Sequence, residues 1–403
     1  MSNGDQFTTA VRGVAGRWPR PPAVWSYSSL RDAEQCPRRW MLSRATYPSI
    51  WGRAGYPPRP MLPALVGDAV HRVLELILRS LHDHGCQSLA TPCAVEVLKE
   101  LGGYSKLIER VIDEQLHDLE DNPRIVDRIP GLRSALRTRV PDIRHRVQAV
   151  ITRTTLRPMP STNRAILDTP QRGPLGDGSY PEVELRAPEL QFGGRADLLT
   201  INSGVCTITD YKTGVPDAHH AEQVETYALL WSRDRELNPN KLPLQQLVLS
   251  YGTHDERLEP PTDADLVALA GQLVNRTAEA ERQLLLRPPP ARPAPAMCRF
   301  CGVRQLCEDY WDSLTHLATR PSDEPDWFDY EGTVTSRNGP RSWLVTADDG
   351  SALLLRTSSE TTTFRLGDRI RLLNLLHGRD PDSPVPIGTL TQASEVFLLD
   401  APS

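Results

Sequence analysis

Three residues of this chain have the types and spacing for metal-assisted phosphodiester chemistry: Asp197, Asp210 and Lys212, all within the stretch Gly193–Lys212. Alternation of apolar and polar residues predicts two strands here, Arg195–Ile201 and Val205–Tyr211, joined at Asn202-Ser203-Gly204, a tripeptide suited to a tight hairpin. Asp197 falls on the first strand and Asp210 on the second, and Lys212 shares a face with Asp210 because strand side chains alternate. Two carboxylates at the end of an otherwise apolar hairpin are costly to desolvate unless a cation lies between them. The expectation is a divalent-metal site. A D-x-K triplet alone is weak, because charged strand ends are usually just solvated.

A second set of reactive residues is Cys298-x2-Cys301-x5-Cys307, with Cys36 far upstream. Three cysteines in ten residues do not arise from packing needs, and their thiolates suit tetrahedral zinc or an iron–sulfur cluster equally. Cys86, Cys93 and Cys206 have no such company and read as ordinary buried or free thiols. The total of seven is odd, which argues against a secreted disulfide framework.

Elements must position these groups. A helix is expected from Ser28, its N-cap, carrying Leu30, Ala33 and Trp40 with Cys36 and Pro37 near its middle. After a Gly- and Pro-rich loop, a second helix runs from Leu62 to His84 with Leu65, Val70, Val73, Leu74, Ile77, Leu78 and Leu81 at helical spacing, and it carries His71. Residues 91–157 read as further helix and 158–180 as a polar loop. A strand over Glu182–Leu190 precedes the hairpin, with Glu184 a candidate extra acid. A helix over His219–Asp234 follows, with Gln223 and Tyr227 one turn apart on a shared face. Leu244–Tyr251 reads as strand and Asp263–Leu286 as helix, before the break RPPPARPAPA. From Trp327 to Leu399, about five short alternating runs separated by Gly and Asp turns suggest a small β-barrel of the OB kind. Residues 1–25 lack an apolar core and read as a flexible arm.

The net charge of −5 decides nothing about nucleic acid, whereas local clusters do. Residues 26–60 hold six Arg against two acids, and Arg124–Arg157 hold nine against two. In the second run Arg133 and Arg137 are spaced i,i+4, and Arg144 and Arg146 follow. Its excess of seven positive charges fits phosphate contact, although most charge runs are solvated faces. Residues 327–403 carry seven Arg and ten acids, which weakens a simple electrostatic role there, while Trp343 and Phe364 are candidates for base stacking. Lysine occurs at only four positions, 99, 106, 212 and 241, against an Arg-rich background. Lys212 is therefore notable, since Arg does not readily give up its proton. No window approaches 18 apolar residues, so no membrane span is expected and the simplest reading is a cytoplasmic protein. No GxxxxGK[ST] loop is present, so the chain has no ATP motor motif of its own.

Taken in order, Gly67-x3-His71, Gly194-Arg195-Ala196-Asp197-Leu198-Leu199, Asp210-Tyr211-Lys212, Gln223-x3-Tyr227 and the four cysteines resemble the PD-(D/E)XK nuclease superfamily. The similarity is to its RecB-like exonucleases, in the cysteine-rich branch with the CRISPR-associated RecB-like and AddB nucleases. It covers residues 26–312, but not the C-terminal strands or much of 91–156. The resemblance implies an α/β restriction-endonuclease-like nuclease domain over 26–318, with a basic helical insertion at 91–157 and a cluster segment at 298–311. A small all-β OB-like domain at 326–403 would follow. It implies Mg²⁺ or Mn²⁺ held by His71, Asp197, Asp210 and the Tyr211 carbonyl, with Lys212 acting on the attacking water and Gln223 and Tyr227 supporting it. It also implies a [4Fe-4S] cluster on Cys36, Cys298, Cys301 and Cys307, with zinc as the alternative. The expected activity is exonucleolytic cleavage of single-stranded DNA or DNA ends, alongside a helicase, CRISPR or anti-phage partner. The alternative is a nucleic-acid-binding scaffold that keeps the fold without the chemistry.

Overall fold

The computed structural model of the chain describes residues 6–87, 89–154, 156, 172–314, 327–378, 380 and 383–400. Arg157, most of the expected 158–180 loop and the stretch between the two expected domains lie outside the described residues. The chain divides into two compact units, one of residues 21–31 and 59–282, the other of residues 1–20, 32–58 and 283–403. This division differs from the expected boundary near residue 320, because residues 32–58 and 283–314 fold with the C-terminal strands.

In the first unit a mixed sheet is formed by β3 (Gly178–Ala187), β4 (Phe192–Asn202), β5 (Val205–Lys212), β6 (Leu244–Tyr251) and β7 (Asp255–Leu258), in that order. All neighbours are antiparallel except β5 and β6, which run parallel. The β4–β5 hairpin closes at the Asn202–Val205 pair, and Ser203 and Gly204 both take left-handed φ, as a two-residue hairpin turn requires. Helix α3 (Leu62–Asp83) turns a continuous apolar stripe inward. With α4 (Pro92–Glu100), α5 (Gly103–His117), α6 (Ile129–Arg137) and α7 (Val140–Ile151) it builds a core that takes in Leu198 and Tyr211 from the sheet. Helix α8 (Ala218–Arg233), capped by the Asp217 carboxylate on the His219 amide, packs over β3 to β6. Helix α9 (Asp263–Leu285) follows β7.

Two glycines set how closely helices approach the chemistry. A Cβ on Gly67 of α3 would lie 3.1 Å from the Thr213 hydroxyl, immediately after Lys212. A Cβ on Gly194 of β4 would lie 2.8 Å from the Tyr227 ring.

The second unit starts with a hairpin, β1 (Gln6–Thr8) and β2 (Ala15–Arg17), where a flexible arm was expected. It is held because Phe7 stacks on Trp18 and Val11 and Val14 enter a core with Leu42, Tyr47 and Cys301. The single helix expected from Ser28 through Trp40 is instead two, α1 (Tyr27–Gln35) and α2 (Pro37–Arg44). Pro37 cannot donate the helical hydrogen bond and suits a first turn, and Cys36 becomes the N-cap, its sulfur accepting the Arg39 amide. After α10 (Pro295–Cys298) and α11 (Glu308–Ser313) come β8 (Trp327–Gly339), β9 (Ser342–Thr346), β10 (Ala352–Arg356), β11 (Arg369–Gly378), β12 (Ile387–Thr389) and β13 (Glu395–Leu398). Pairing runs β12-β10-β9-β8-β11, and β12 also pairs with β11, so the ladder returns to its start. Trp343 and Phe364, expected as stacking candidates, are buried in its interior, edge to face with each other.

Cys86 and Cys93, read above as ordinary thiols, form a disulfide between the end of α3 and the start of α4, their Cα atoms 5.8 Å apart. Among the described residues no helix is long and apolar enough to cross a membrane. Replacing Gly194 by valine should lower stability by about 1–3 kcal/mol through overpacking against Tyr227. Thermal unfolding checks this, and an unchanged midpoint would mean that the ring moves aside freely.

Candidate nuclease site

The hairpin brings its acids together through register. Leu198 pairs with Thr209, so one step further Asp197 stands opposite Asp210. The regular pairing ends at Leu198–Thr209, and the Asp197 carboxylate itself takes the next amide, accepting the Tyr211 N–H at 2.6 Å. On the other side of β4, Glu182 stands opposite Asp197, between the pairs Pro181–Leu198 and Val183–Ala196. Three acids thus form a row across β3, β4 and β5.

Lys212 follows Asp210 on the same strand and forms an ion pair with it. Its ammonium also donates to the Gln223 amide oxygen at 2.8 Å, and the Gln223 nitrogen donates to the Tyr227 hydroxyl at 2.7 Å. Helix α8 therefore holds the lysine through two side chains one turn apart, the pairing expected from their spacing. The Tyr211 side chain points away from this row, into the helical core, with its hydroxyl 3.5 Å from that of Thr154.

Burial dominates the electrostatics. Desolvation holds Asp197 well above the usual carboxylate range, the Asp210 charge adds to this, and the Tyr211 amide offsets part of it. Burial likewise lowers His71, against the pull of the Asp210 charge, which favours the neutral imidazole, the form that can ligate a metal. Desolvation raises Glu182, with Glu75 adding to it, and raises Tyr227. The Asp210 Oδ2 atom is buried and paired with the Lys212 ammonium. Among the described residues no group of three His, Cys, Asp or Glu closes around a point where a metal ion would sit.

Glu184 is not part of the row. It is exposed and bonded to Arg186 at 2.8 and 3.0 Å. Glu182 and Glu184 share strand parity, so only the register against β4 separates them, and that register could be counted only once the β3–β4 turn was placed. Arg133 and Arg137 both engage Asp113, and Arg144 lies over the Tyr104 ring at 5.9 Å, so these three are tied within the helical layer. Arg146 alone of the four reaches the site edge, donating to the Thr213 carbonyl at 3.5 Å.

The four expected cysteines are all in the second unit and all unpaired as disulfides. Cys301 feels the charges of Cys36 and Cys298, and Cys307 that of Cys36. Each sulfur accepts a backbone amide: Cys36 from Arg39, Cys298 from Ala294, Cys301 from Val303 and Cys307 from Tyr310. Burial raises Cys301 and pushes Cys307 up to about 12.

The sequence profile of the PD-(D/E)XK nuclease superfamily matches residues 24–308, most of the chain, and the protein belongs to that superfamily. No curated protein matches it. Among solved structures, the chain aligns with tetrameric p202 HIN2 at 17% identity, covering 22% of this chain and 50% of that one, with a TM-score of 0.18. It aligns with SSO0001 at 18% identity over 49% and 81%, TM-score 0.23. A murine DNA binding protein bound with ds DNA aligns at 9% identity over 55% and 95%, TM-score 0.17. The chain spans half the length of the first of these, and none superposes closely enough to bear on function.

The raised Asp197 has a direct consequence for stability. A carboxyl whose folded pKa lies above its unfolded value favours the native state below the unfolded value of about 3.9 and loses that advantage as pH rises through the folded pKa. Asp197→Asn keeps an acceptor for the Tyr211 amide and carries no charge. In EDTA at pH 7 it should unfold at a higher temperature than the wild type. The gap should close near pH 4, and a variant less stable than wild type at pH 7 would contradict this.

Proposed function

We propose that the protein is a metal-dependent DNA nuclease, an exonuclease acting on single-stranded DNA or DNA ends. One observation carries the reading: Lys212 is held between Asp210 and Gln223, with Asp197 opposite Asp210. A scaffold has no use for a lysine so restrained beside one buried and one half-buried acid, which argues against the non-catalytic alternative.

The residues fit a divalent cation. Two opposed carboxylates, that of Asp210 buried, and the His71 imidazole beside them form a hard, oxygen-rich donor set. Asp197, Asp210, His71 and the Tyr211 carbonyl would hold Mg²⁺ or Mn²⁺, with Glu182 adding charge beside Asp197. The bound ion would acidify a water and draw charge from the phosphate. The protein's own part falls to Lys212. Its ammonium, aimed by the Gln223–Tyr227 pair, orients the attacking water and offsets charge that develops on the phosphorane. Asp210 keeps the lysine at the strand edge. Tyr211 fixes Asp197 from the backbone, so both acids are set by one strand.

The cysteine set supports a [4Fe-4S] cluster on Cys36, Cys298, Cys301 and Cys307, with zinc as the alternative. The four thiols lie near one another and each accepts a backbone amide, a contact that would also steady a metal-bound thiolate. Their role would be structural, adding to the ion pairs and apolar contacts that already hold α2 and the segment after α10. For the C-terminal strands, the closed order β8-β9-β10-β12-β11 with a parallel β10–β12 pair supports an OB-like barrel. This assembly fits a role in DNA repair, recombination or anti-phage defence beside a separate helicase or CRISPR partner.

With Mn²⁺ or Mg²⁺, labelled single-stranded DNA should be shortened to nucleotides, and EDTA should stop the reaction. Asp210→Ala and Lys212→Ala should each lower the rate by about 10²–10⁴-fold. Full activity in both would remove the site assignment. Anaerobically purified protein should be brown, with a broad absorbance band near 400 nm, and stoichiometric zinc without iron would replace the cluster by a zinc site.

A further inference from the structure

The edge of the sheet that carries Lys212 also carries a group of rings with no part in the chemistry above. Strands β5 and β6 are parallel and in register at Lys212 and Tyr251, so both end at the same edge, about 4.8 Å apart. Beyond Tyr251 the chain reverses at once. The Tyr251 amide donates to the His254 carbonyl at 2.9 Å, and β7 starts at the next residue. This turn lays the His254 ring on Tyr251, with centroids 5.2 Å apart and planes within 18°. Tyr251 also meets His220 of α8, with centroids at 5.8 Å and a hydrogen bond of 2.9 Å between its hydroxyl and Nδ1.

The stack is braced on several sides. The Thr253 hydroxyl lies 3.0 Å from His254 Nδ1, which fixes the rotation of the imidazole. Arg153, just beyond α7, donates to the Tyr251 and Gly252 carbonyls and pairs with Asp255 at 3.2 Å. Tyr251 is buried while His254 is exposed. An exposed aromatic ring ordinarily loses rotamer freedom when it binds something; here the turn, the stack and the hydroxyl have already removed that freedom.

A flat, fixed ring at the edge beside Lys212 suits a planar partner, and every nucleobase has a π-face that such a ring accepts. Bases inside a duplex already have both faces covered, so the partner must be unpaired. Positive charge for its phosphates lies on the same edge, at Lys212 and at the exposed Arg146 on the Thr213 carbonyl. We propose that His254, backed by Tyr251 and His220, is a stacking platform for an unpaired nucleobase flanking the scissile phosphate of single-stranded DNA. The inference rests on the nuclease reading above and adds to it the form of DNA that the site takes.

The test is equilibrium binding of a fluorescein-labelled single-stranded oligonucleotide by the full chain in EDTA, read by anisotropy, alongside cleavage in Mn²⁺. His254→Ala should weaken binding roughly tenfold and raise KM with kcat within about twofold of wild type, whereas His254→Trp should restore wild-type affinity. In the wild type, one abasic position in the oligonucleotide should cost as much as His254→Ala, and the two losses should not add. Equal affinity of His254→Ala and wild type, or the same abasic penalty in both, would overturn the platform while leaving the nuclease intact. A wild type that neither binds nor cleaves the strand would remove both readings, and Lys212→Ala that still binds but does not cleave would uphold them separately.

Discussion

The structure around the site depends on one cost, that of keeping ionisable carboxyl groups out of water at a strand edge. Half-buried Asp197 stands opposite buried Asp210, whose charge raises the expense of charging Asp197. The surrounding residues lessen that cost without removing it. A backbone amide is spent on Asp197, a lysine on Asp210, and two residues of α8 hold the lysine. What is left uncompensated is the feature of use to an enzyme, since a site already satisfied by its own residues has nothing to offer a cation or a phosphate.

Much of this arrangement was legible because it is local. The alternating pattern and Asn202-Ser203-Gly204 placed Asp197 and Asp210 together, and helical spacing paired Gln223 with Tyr227. The misreadings share a cause, which is that they depend on partners distant in sequence. Glu184 stood out as a candidate acid, but parity cannot tell residues two apart, and only the neighbouring strand's register places Glu182 beside Asp197 instead. The N-terminal hairpin has few apolar residues of its own and folds because a core from residues 42–56 and 301–306 receives Val11 and Val14. The contacts of Arg133 and Arg137 with Asp113 and of Arg144 with Tyr104 likewise needed α5 to be placed beside them. Cys86 and Cys93 required α3 and α4 to meet.

The unit that holds the cysteines relies on a different kind of interaction. Asp329 is buried and accepts from the Arg304 guanidinium, the Tyr310 hydroxyl at 2.8 Å and the Asn374 amide at 2.8 Å. Arg371, 1% exposed, reaches Glu331, Glu308 and the Gln305 carbonyl and lies over Trp311. These interactions join residues 304–311, the segment that contains Cys307, to β8 and β11. Buried pairs add little net stability, but removing one partner strands a charge, so they tolerate few alternative arrangements. The cysteine segment is therefore registered against the β-strands by polar geometry, as the acids of the other unit are registered by strand pairing.

Glu182 adopts φ +56°, a conformation that non-glycine residues avoid and that Asn and Asp enter more readily than Glu. At this position drift under selection for folding alone would run toward glycine or asparagine, relieving about 1 kcal/mol of strain and removing a half-buried acid together. Position 182 is thus a natural reporter. In any set of related sequences, an acid persisting there against that bias would mark selection on the site, and a glycine would mark a lineage that has let one of its charges go.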